Sequence, residues 1–141
     1  LAPGIEMSPG EGFEKVIQNE NYRGFTGDVW HYKDVALLRI SKNRKFPERL
    51  NVVVGLKPGF DFDRLYLSVK IIHPTEGVKE VEKEVRVIEA ESLGKTSRLL
   101  RVYIPEWVIE EPGDYFLRVS HQHLNDRLNG IDFVSYELLT P

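Results

Sequence analysis

Strict alternation of apolar and polar residues marks two segments in the middle of the chain, RLNVVVGLK at 49–57 and RLYLSVKII at 64–72. Successive side chains of a β-strand point to opposite faces of a sheet, so this period of two predicts two strands that are each buried on one face. Pro58 and Gly59 favour a turn between them. We therefore expect the two strands to be antiparallel neighbours.

The segment VKEVEKEVRVIE, residues 78–89, fits two secondary structures. Val81, Val85 and Val87 alternate with a charged face, as in a strand with one solvated side. Valines 78, 81 and 85 with Ile88 also fit helical spacing, but β-branched side chains favour the strand.

Further alternating segments complete an all-β pattern. SRLLRVYIP predicts a strand that Pro105 ends, and GDVWHYKD and VALLRIS predict strands at 27–34 and 35–41. Residues 113–123 and 130–139 predict a C-terminal hairpin across the loop LNDRLN. The result is a single antiparallel β-sandwich of about eight strands, jelly-roll or Ig-like. No strand–helix alternation indicates a parallel sheet.

The first 24 residues are rich in Gly and Pro and have little periodicity. We expect an extended lead or tether over 1–24 and the sandwich domain over 25–141. A length of 141 residues suits one such domain.

Charge and composition remove several classes of function. The net charge of −3 and the lack of a basic block argue against nucleic acid as a partner. Without cysteine the chain has no disulfide, thiolate nucleophile or cysteine-based zinc site. No apolar run approaches the roughly 20 residues that span a bilayer.

His121 and His123 lie two apart on a predicted strand and could offer two imidazoles to a metal, with Asp126, His31 or His73 as the third ligand. The alternative is that His121 ends the apolar stripe of Tyr115, Leu117 and Val119. We favour the alternative and expect no cofactor.

Acidic pairs such as Glu110 with Glu111 and Asp61 with Asp63 could imitate the two carboxylates of a glycosidase. Among 22 acidic residues, such neighbours arise by chance. No nucleophile elbow, phosphate-binding glycine loop or zinc-protease motif occurs, so we expect no enzyme.

Large aromatic residues could form a platform for sugars, which keeps a carbohydrate-binding module as the alternative function. The favoured interpretation is that these rings pack in the core. The residues are Trp30, Tyr32, Tyr103 and Trp107.

The C-terminal hairpin is expected to be structural first. Gly130 should have a positive φ or a neighbour too close for a Cβ, and Ile131 and Phe133 should share the buried face.

Four stretches, in this order, resemble the GldH family of gliding-motility lipoproteins of Bacteroidetes. They are FTGDVWHYKDVALLRIS, GFDFDRLYLSVKI, ESLGKTSRLLRVYI and PGDYFLRVSHQHLNDRLNGIDFVSYEL, and together they span residues 25–139. In the last stretch, Gln122, Leu128, Gly130 and Ile131 match the family pattern, whereas the flanking histidines are individual to this chain.

The resemblance implies a lipoprotein anchored in the outer membrane, facing the periplasm or the cell surface. It would bind other envelope proteins of the gliding and type IX secretion machinery. The lipid-bearing cysteine of that family would lie upstream of this sequence. Two positions depart from the family, because Lys57 alone represents an expected basic residue and Arg64 replaces an expected Asn.

Overall fold

The computed structural model describes residues 18–140, which form an antiparallel β-sandwich. Short 3-10 turns cover Thr26–Asp28 and Val87–Glu89. The strands are β1 (Gln18–Asn19), β2 (Tyr22–Gly24), β3 (Val29–His31), β4 (Ala36–Lys42), β5 (Glu48–Leu56), β6 (Arg64–His73), β7 (Gly77–Arg86), β8 (Glu91–Leu93), β9 (Ser97–Ile109), β10 (Gly113–His121), β11 (Arg127–Asn129) and β12 (Ile131–Leu139).

The strands are divided between two main sheets and one small ribbon. One sheet has the order β1-β2-β12-β5-β9-β8 and the other the order β4-β10-β6-β7. β3 and β11 pair separately, and they bring Trp30 opposite Leu128, both of which are fully buried. The ribbon therefore contributes a large aromatic side chain to the core.

The core is built from the apolar phase of each alternating strand. Burying these side chains removes apolar surface from water, which is the main favourable term in folding. The central strands of the two sheets contribute Leu50, Val52, Val54 and Leu56 from β5, Leu65, Leu67, Val69 and Ile71 from β6, and Tyr115, Leu117 and Val119 from β10.

The prediction that β5 and β6 are neighbours is wrong. β5 pairs with β12 and β9, whereas β6 pairs with β10 and β7 in the other sheet. The connection at 57–63 therefore crosses from one sheet to the other. The turn residues permit either a turn within one sheet or a crossing between the sheets. The crossing lets both strands bury their apolar faces in the same core.

The predicted C-terminal hairpin is also wrong, although both of its strands exist. β10 lies in the four-stranded sheet and β12 in the six-stranded sheet. Within the intervening segment, β11 pairs with β3 instead. The loop LNDRLN is thus part of a crossing between sheets.

Pro105 does not end its strand as predicted. β9 continues to Ile109, and its pairing with β5 passes from Ile104 opposite Leu50 to Val108 opposite Arg49. The intervening Pro105 lies in this irregularity, where its missing N–H removes no ladder bond. Residues 77–86 form a strand, as β-branching predicted, rather than a helix.

The boundary predicted at residue 24 is wrong for the end of the lead. β2 pairs with β12 through Tyr22 opposite Ser135, so residues 22–24 belong to the sheet. Gln18 and Asn19 form β1, which pairs with β2, and the first part of the predicted tether, residues 1–17, lies outside the described residues.

Candidate functional site

His121 is a buried core residue whose two ring nitrogens both have partners. It ends the inner face of β10, with its Nε2–H donating to the backbone oxygen of Trp30 at 3.1 Å. Its Nδ1 accepts the backbone N–H of His123 at 3.3 Å. Burial lowers the pKa of His121, although the bond to Trp30 acts in the opposite direction. The neutral ring therefore serves to tie β10 to β3.

His123 closes an aromatic cluster at the start of β6. Its Nε2 accepts the backbone N–H of Tyr66 at 3.1 Å. The centroid of its ring lies 4.8 Å from that of Phe62 and 5.1 Å from that of Tyr66. Burial, with a smaller contribution from His121, lowers its pKa to about 4. Both histidines are uncharged near neutral pH.

These contacts leave the histidine pair without the ligand set that a metal needs. A zinc site takes at least three protein ligands. Among residues 18–140, no three His, Asp or Glu side chains are grouped in a way that could hold a metal, so Asp126, His31 and His73 do not complete one with this pair. The hydrogen bonds favour the structural role.

The aromatic platform, which was the alternative to the favoured packing of these rings in the core, does not form. Trp30 is 0% exposed and Trp107 is 8% exposed, because both rings pack in the core. The Trp30 Nε1–H donates to the backbone oxygen of Asp34 at 2.6 Å, which satisfies the one polar group of the buried ring. Tyr32 and Tyr103 alone are about half exposed, at 47% and 50%.

Gly130 has the geometry predicted for it. Its φ is +80°, and a Cβ at this position would lie 2.2 Å from the backbone nitrogen of Phe60. The Gly130 N–H donates to Asp28 O, and its own oxygen accepts the N–H of Lys57. Gly130 thereby packs the start of β12 against the 57–63 connection. The prediction is confirmed.

Ile131 and Phe133 do not share one face. Ile131 is fully buried, but the pairing of β12 with β5 shifts register before Phe133. As a result, Phe133 lies on the outer side of the sheet, above Gly55 and stacked on Tyr22. Gln122 is exposed, and its N–H donates to Tyr66 O at 2.8 Å.

The outer face of the four-stranded sheet carries an apolar row that the alternation alone did not reveal. Phe116 lies directly opposite Ile72, and Ile72 lies directly opposite Val78. Phe116 is 44% exposed and Val78 is 63% exposed. Apolar side chains at the solvent phase of three adjacent strands form a continuous surface of the kind that marks interaction sites.

A basic row lies beside these apolar residues. Arg118 lies directly opposite Lys70, and Lys70 in turn lies opposite Glu80 of β7, although among the described residues no carboxylate oxygen lies within 4.0 Å of either cation. Like charges placed opposite each other on a sheet disfavour folding. The two rows together, Phe116, Ile72, Val78, Arg118 and Lys70, are called the Phe116 face below.

Comparison of the chain with protein-family models, with curated proteins and with solved structures found no match. Residues 18–140 contain no helix long and apolar enough to cross a membrane.

Sequence reasoning missed the Phe116 face because it sought chemistry-bearing residues. A signal was present, since Phe116 and Ile72 are apolar residues at the polar phase of strands whose other phase fills the core. Only the register places them beside each other.

Proposed function

We propose that this domain is a non-enzymatic protein-binding module of the bacterial cell envelope and that its Phe116 face contacts the partner. The apolar row of Phe116, Ile72 and Val78 on the outside of the sheet carries the proposal. Covering exposed apolar surface contributes about 25 cal/mol per Å². Arg118 and Lys70 add charge that a partner with acidic groups would neutralise, which favours specificity and fast association.

The narrower assignment is supported by the motifs that resemble the GldH family over residues 25–139. On that basis, the partners are envelope proteins of the gliding-motility and type IX secretion machinery. The domain is held at the outer membrane by a lipid attached upstream of residue 1. It faces the periplasm or the cell surface.

Site-specific photo-cross-linking tests the proposed face in the cells that produce the protein. A photoreactive amino acid replaces Phe116 in the full-length protein, and Tyr103, equally exposed on the other sheet, serves as the matched control position. We expect adducts with an envelope protein from position 116 and none from position 103. Arg118→Glu should lower the yield at position 116.

Equal adducts from both positions, or none from position 116, would overturn the proposed face. Fractionation of the same cells tests the location separately. Recovery of the untagged protein with the outer membrane is expected, and recovery in the soluble cytoplasmic fraction would overturn the envelope assignment.

A further inference from the structure

A cleft of about 590 Å³ opens at one end of the sandwich, and three arginines from different strands line it. Arg64 begins β6, Arg86 ends β7 and Arg98 lies near the start of β9. We infer that this arginine cleft binds the carboxylate of a small molecule that has an apolar or aromatic body. The site is separate from the Phe116 face and does not depend on the protein-binding proposal.

The arginines are arranged at a cost that an anion would relieve. Arg64 and Arg86 are directly opposite on β6 and β7, and facing like charges disfavour such a pair. Glu84 compensates Arg64 at 2.6 Å. Among residues 18–140, neither Arg86 nor Arg98 has a carboxylate oxygen within 4.0 Å. Two guanidinium groups are thus available to a ligand.

Arg98 is the more informative of these two groups. It continues the phase of Leu100 and Val102, so it lies on the inner side of its sheet, opposite Leu56. The residue is half-buried at the mouth between the sheets. A partly desolvated charge without a counterion is unfavourable. A carboxylate would supply that counterion in the planar, bidentate geometry that guanidinium groups match.

The acidic residues of the cleft determine which anion fits. Asp61 and Asp63 line the same space, and neither has a basic partner within 4.0 Å in the described chain. Their negative charge disfavours a doubly charged ligand, because like charges repel strongly where water is partly excluded. This argues for a monocarboxylate and against a phosphate monoester.

Apolar side chains beside the arginines provide a surface for the body of the ligand. Phe62 is 37% exposed and Ile88 is 79% exposed at the rim of the cleft. The backbone N–H of Val87 donates to Asp63 O at 2.8 Å and joins the two walls. The volume falls in the range of roughly 300–1,000 Å³ that is usual for small-molecule sites.

Titration of the ¹⁵N-labelled protein with benzoate, followed by NMR, tests the inference. Benzamide, a neutral molecule of the same shape, and phenyl phosphate, a dianion, are the comparison probes. We expect saturable shifts with benzoate at residues 61–64, 86–88 and 98, and binding at least about tenfold weaker for benzamide, since a charge-assisted bond is lost. Phenyl phosphate should also bind more weakly than benzoate.

Variants locate the site, with the dispersion of the NMR spectrum confirming that each is folded. Arg98→Gln should weaken benzoate binding at least about tenfold. Exposed Arg86→Gln should weaken it as well and replaces Arg98→Gln if that variant does not fold. Arg118→Gln removes an equally unpaired arginine from the Phe116 face and should leave binding unchanged. The inference is overturned by equal affinity for benzamide, by tighter binding of phenyl phosphate, by non-saturable shifts, or by equal loss in Arg118→Gln.

Discussion

The outer faces of the two sheets differ in how their polar and apolar groups are matched. On the six-stranded sheet, Glu137 accepts hydrogen bonds from Asn51 Nδ2 at 3.0 Å and from Arg101 Nε at 2.8 Å, and Arg101 also pairs with Glu91. Phe133 covers Gly55. These polar groups and Gly55 are therefore matched by neighbours on the same face.

The Phe116 face has the same alternation but lacks that internal matching. Phe116 lies next to Ile72, and Arg118 lies next to Lys70, which has Glu80 opposite it on β7 but forms no ion pair within 4.0 Å among the described residues. The difference shows that exposure alone does not identify an interaction surface. What distinguishes the two faces is whether cross-strand neighbours compensate each other.

The largest effect on stability is expected at Gly130, where the chain enters β12 of the six-stranded sheet. Gly130→Val should lower the free energy of unfolding by about 3 kcal/mol or more, because a positive φ and a backbone clash with Phe60 act together. Chemical denaturation measures the change. Gly94→Val is the control, since Gly94 has φ +73° but open space around it. Equal losses in both variants would show that the contact with Phe60 contributes nothing.

A smaller loss is expected where Phe133 covers β5. A Cβ at Gly55 would lie 2.3 Å from the Phe133 ring, so Gly55→Ala should cost about 1–3 kcal/mol by overpacking. In a Phe133→Ala background the same substitution should cost much less. A double-mutant cycle measured by thermal unfolding gives the coupling. Identical costs in the two backgrounds would mean that Phe133 does not define this side of the sheet.

Acid should act on the two regions in different pH ranges. The pKa of His123, beside the four-stranded sheet, is lowered to about 4, so the unfolded chain binds more protons than the folded chain between that pH and about 6.5. Its stabilisation is complete above that range and falls as the pH falls through it, by about 1 kcal/mol after allowance for solvent screening. His123→Gln should flatten the stability profile there.

On the six-stranded sheet, the hydrogen bond from Asn51, followed by that from Arg101, holds the pKa of Glu137 below its usual value. That stabilisation is present above about pH 4.3 and is lost as the pH falls through the lowered folded-state pKa. Glu137→Gln should therefore change the profile only at the acidic end. The assignment would be contradicted if Glu137→Gln changed the slope of the stability profile between about pH 5 and about pH 6.5. It would also be contradicted if His123→Gln left that slope unchanged.

The smallest expected effect is the difference in stability between Arg101→Ala on the six-stranded sheet and Arg118→Ala on the four-stranded sheet. Arg101→Ala removes two carboxylate contacts and should cost up to about 1 kcal/mol, whereas Arg118→Ala should change stability by less than about 0.5 kcal/mol. Urea denaturation in low and high salt measures both. The cost of Arg101→Ala should shrink in high salt. A larger loss for Arg118→Ala would reverse the comparison between the faces.

Local pattern located the strands and their inward-facing residues, but the prediction that β5 is buried on one face only is wrong, because its outward-facing Asn51 and Val53 are each only 6% exposed. The apolar phase of the alternation in 50–56 and 65–71 consists of residues that lie in the core, because successive side chains of a strand point to opposite faces of the sheet. The constraint at Gly130 also followed from local sequence, since glycine after a polar loop is typical of a positive φ.

Pairing was decided by the tertiary structure. The segments 57–63 and 122–130 can turn back within one sheet or cross to the other, and their residue types permit both. Crossing is selected because the strands on either side bury their apolar faces from opposite sides of one core. The choice depends on the apolar surface buried by the whole core, and no short segment of the sequence determines that quantity.

The candidate sites depend on that pairing. His121 and His123 have the spacing of metal ligands, but the neighbouring Trp30 oxygen and Tyr66 N–H occupy their nitrogens. Phe116 and Arg98 are unremarkable in sequence until the register places Ile72 beside one and the cleft beside the other. The chain alone determined which groups exist and which side of each strand they occupy, and only the folded sheets decided which groups meet, because contacts between distant segments depend on the packing of the whole core.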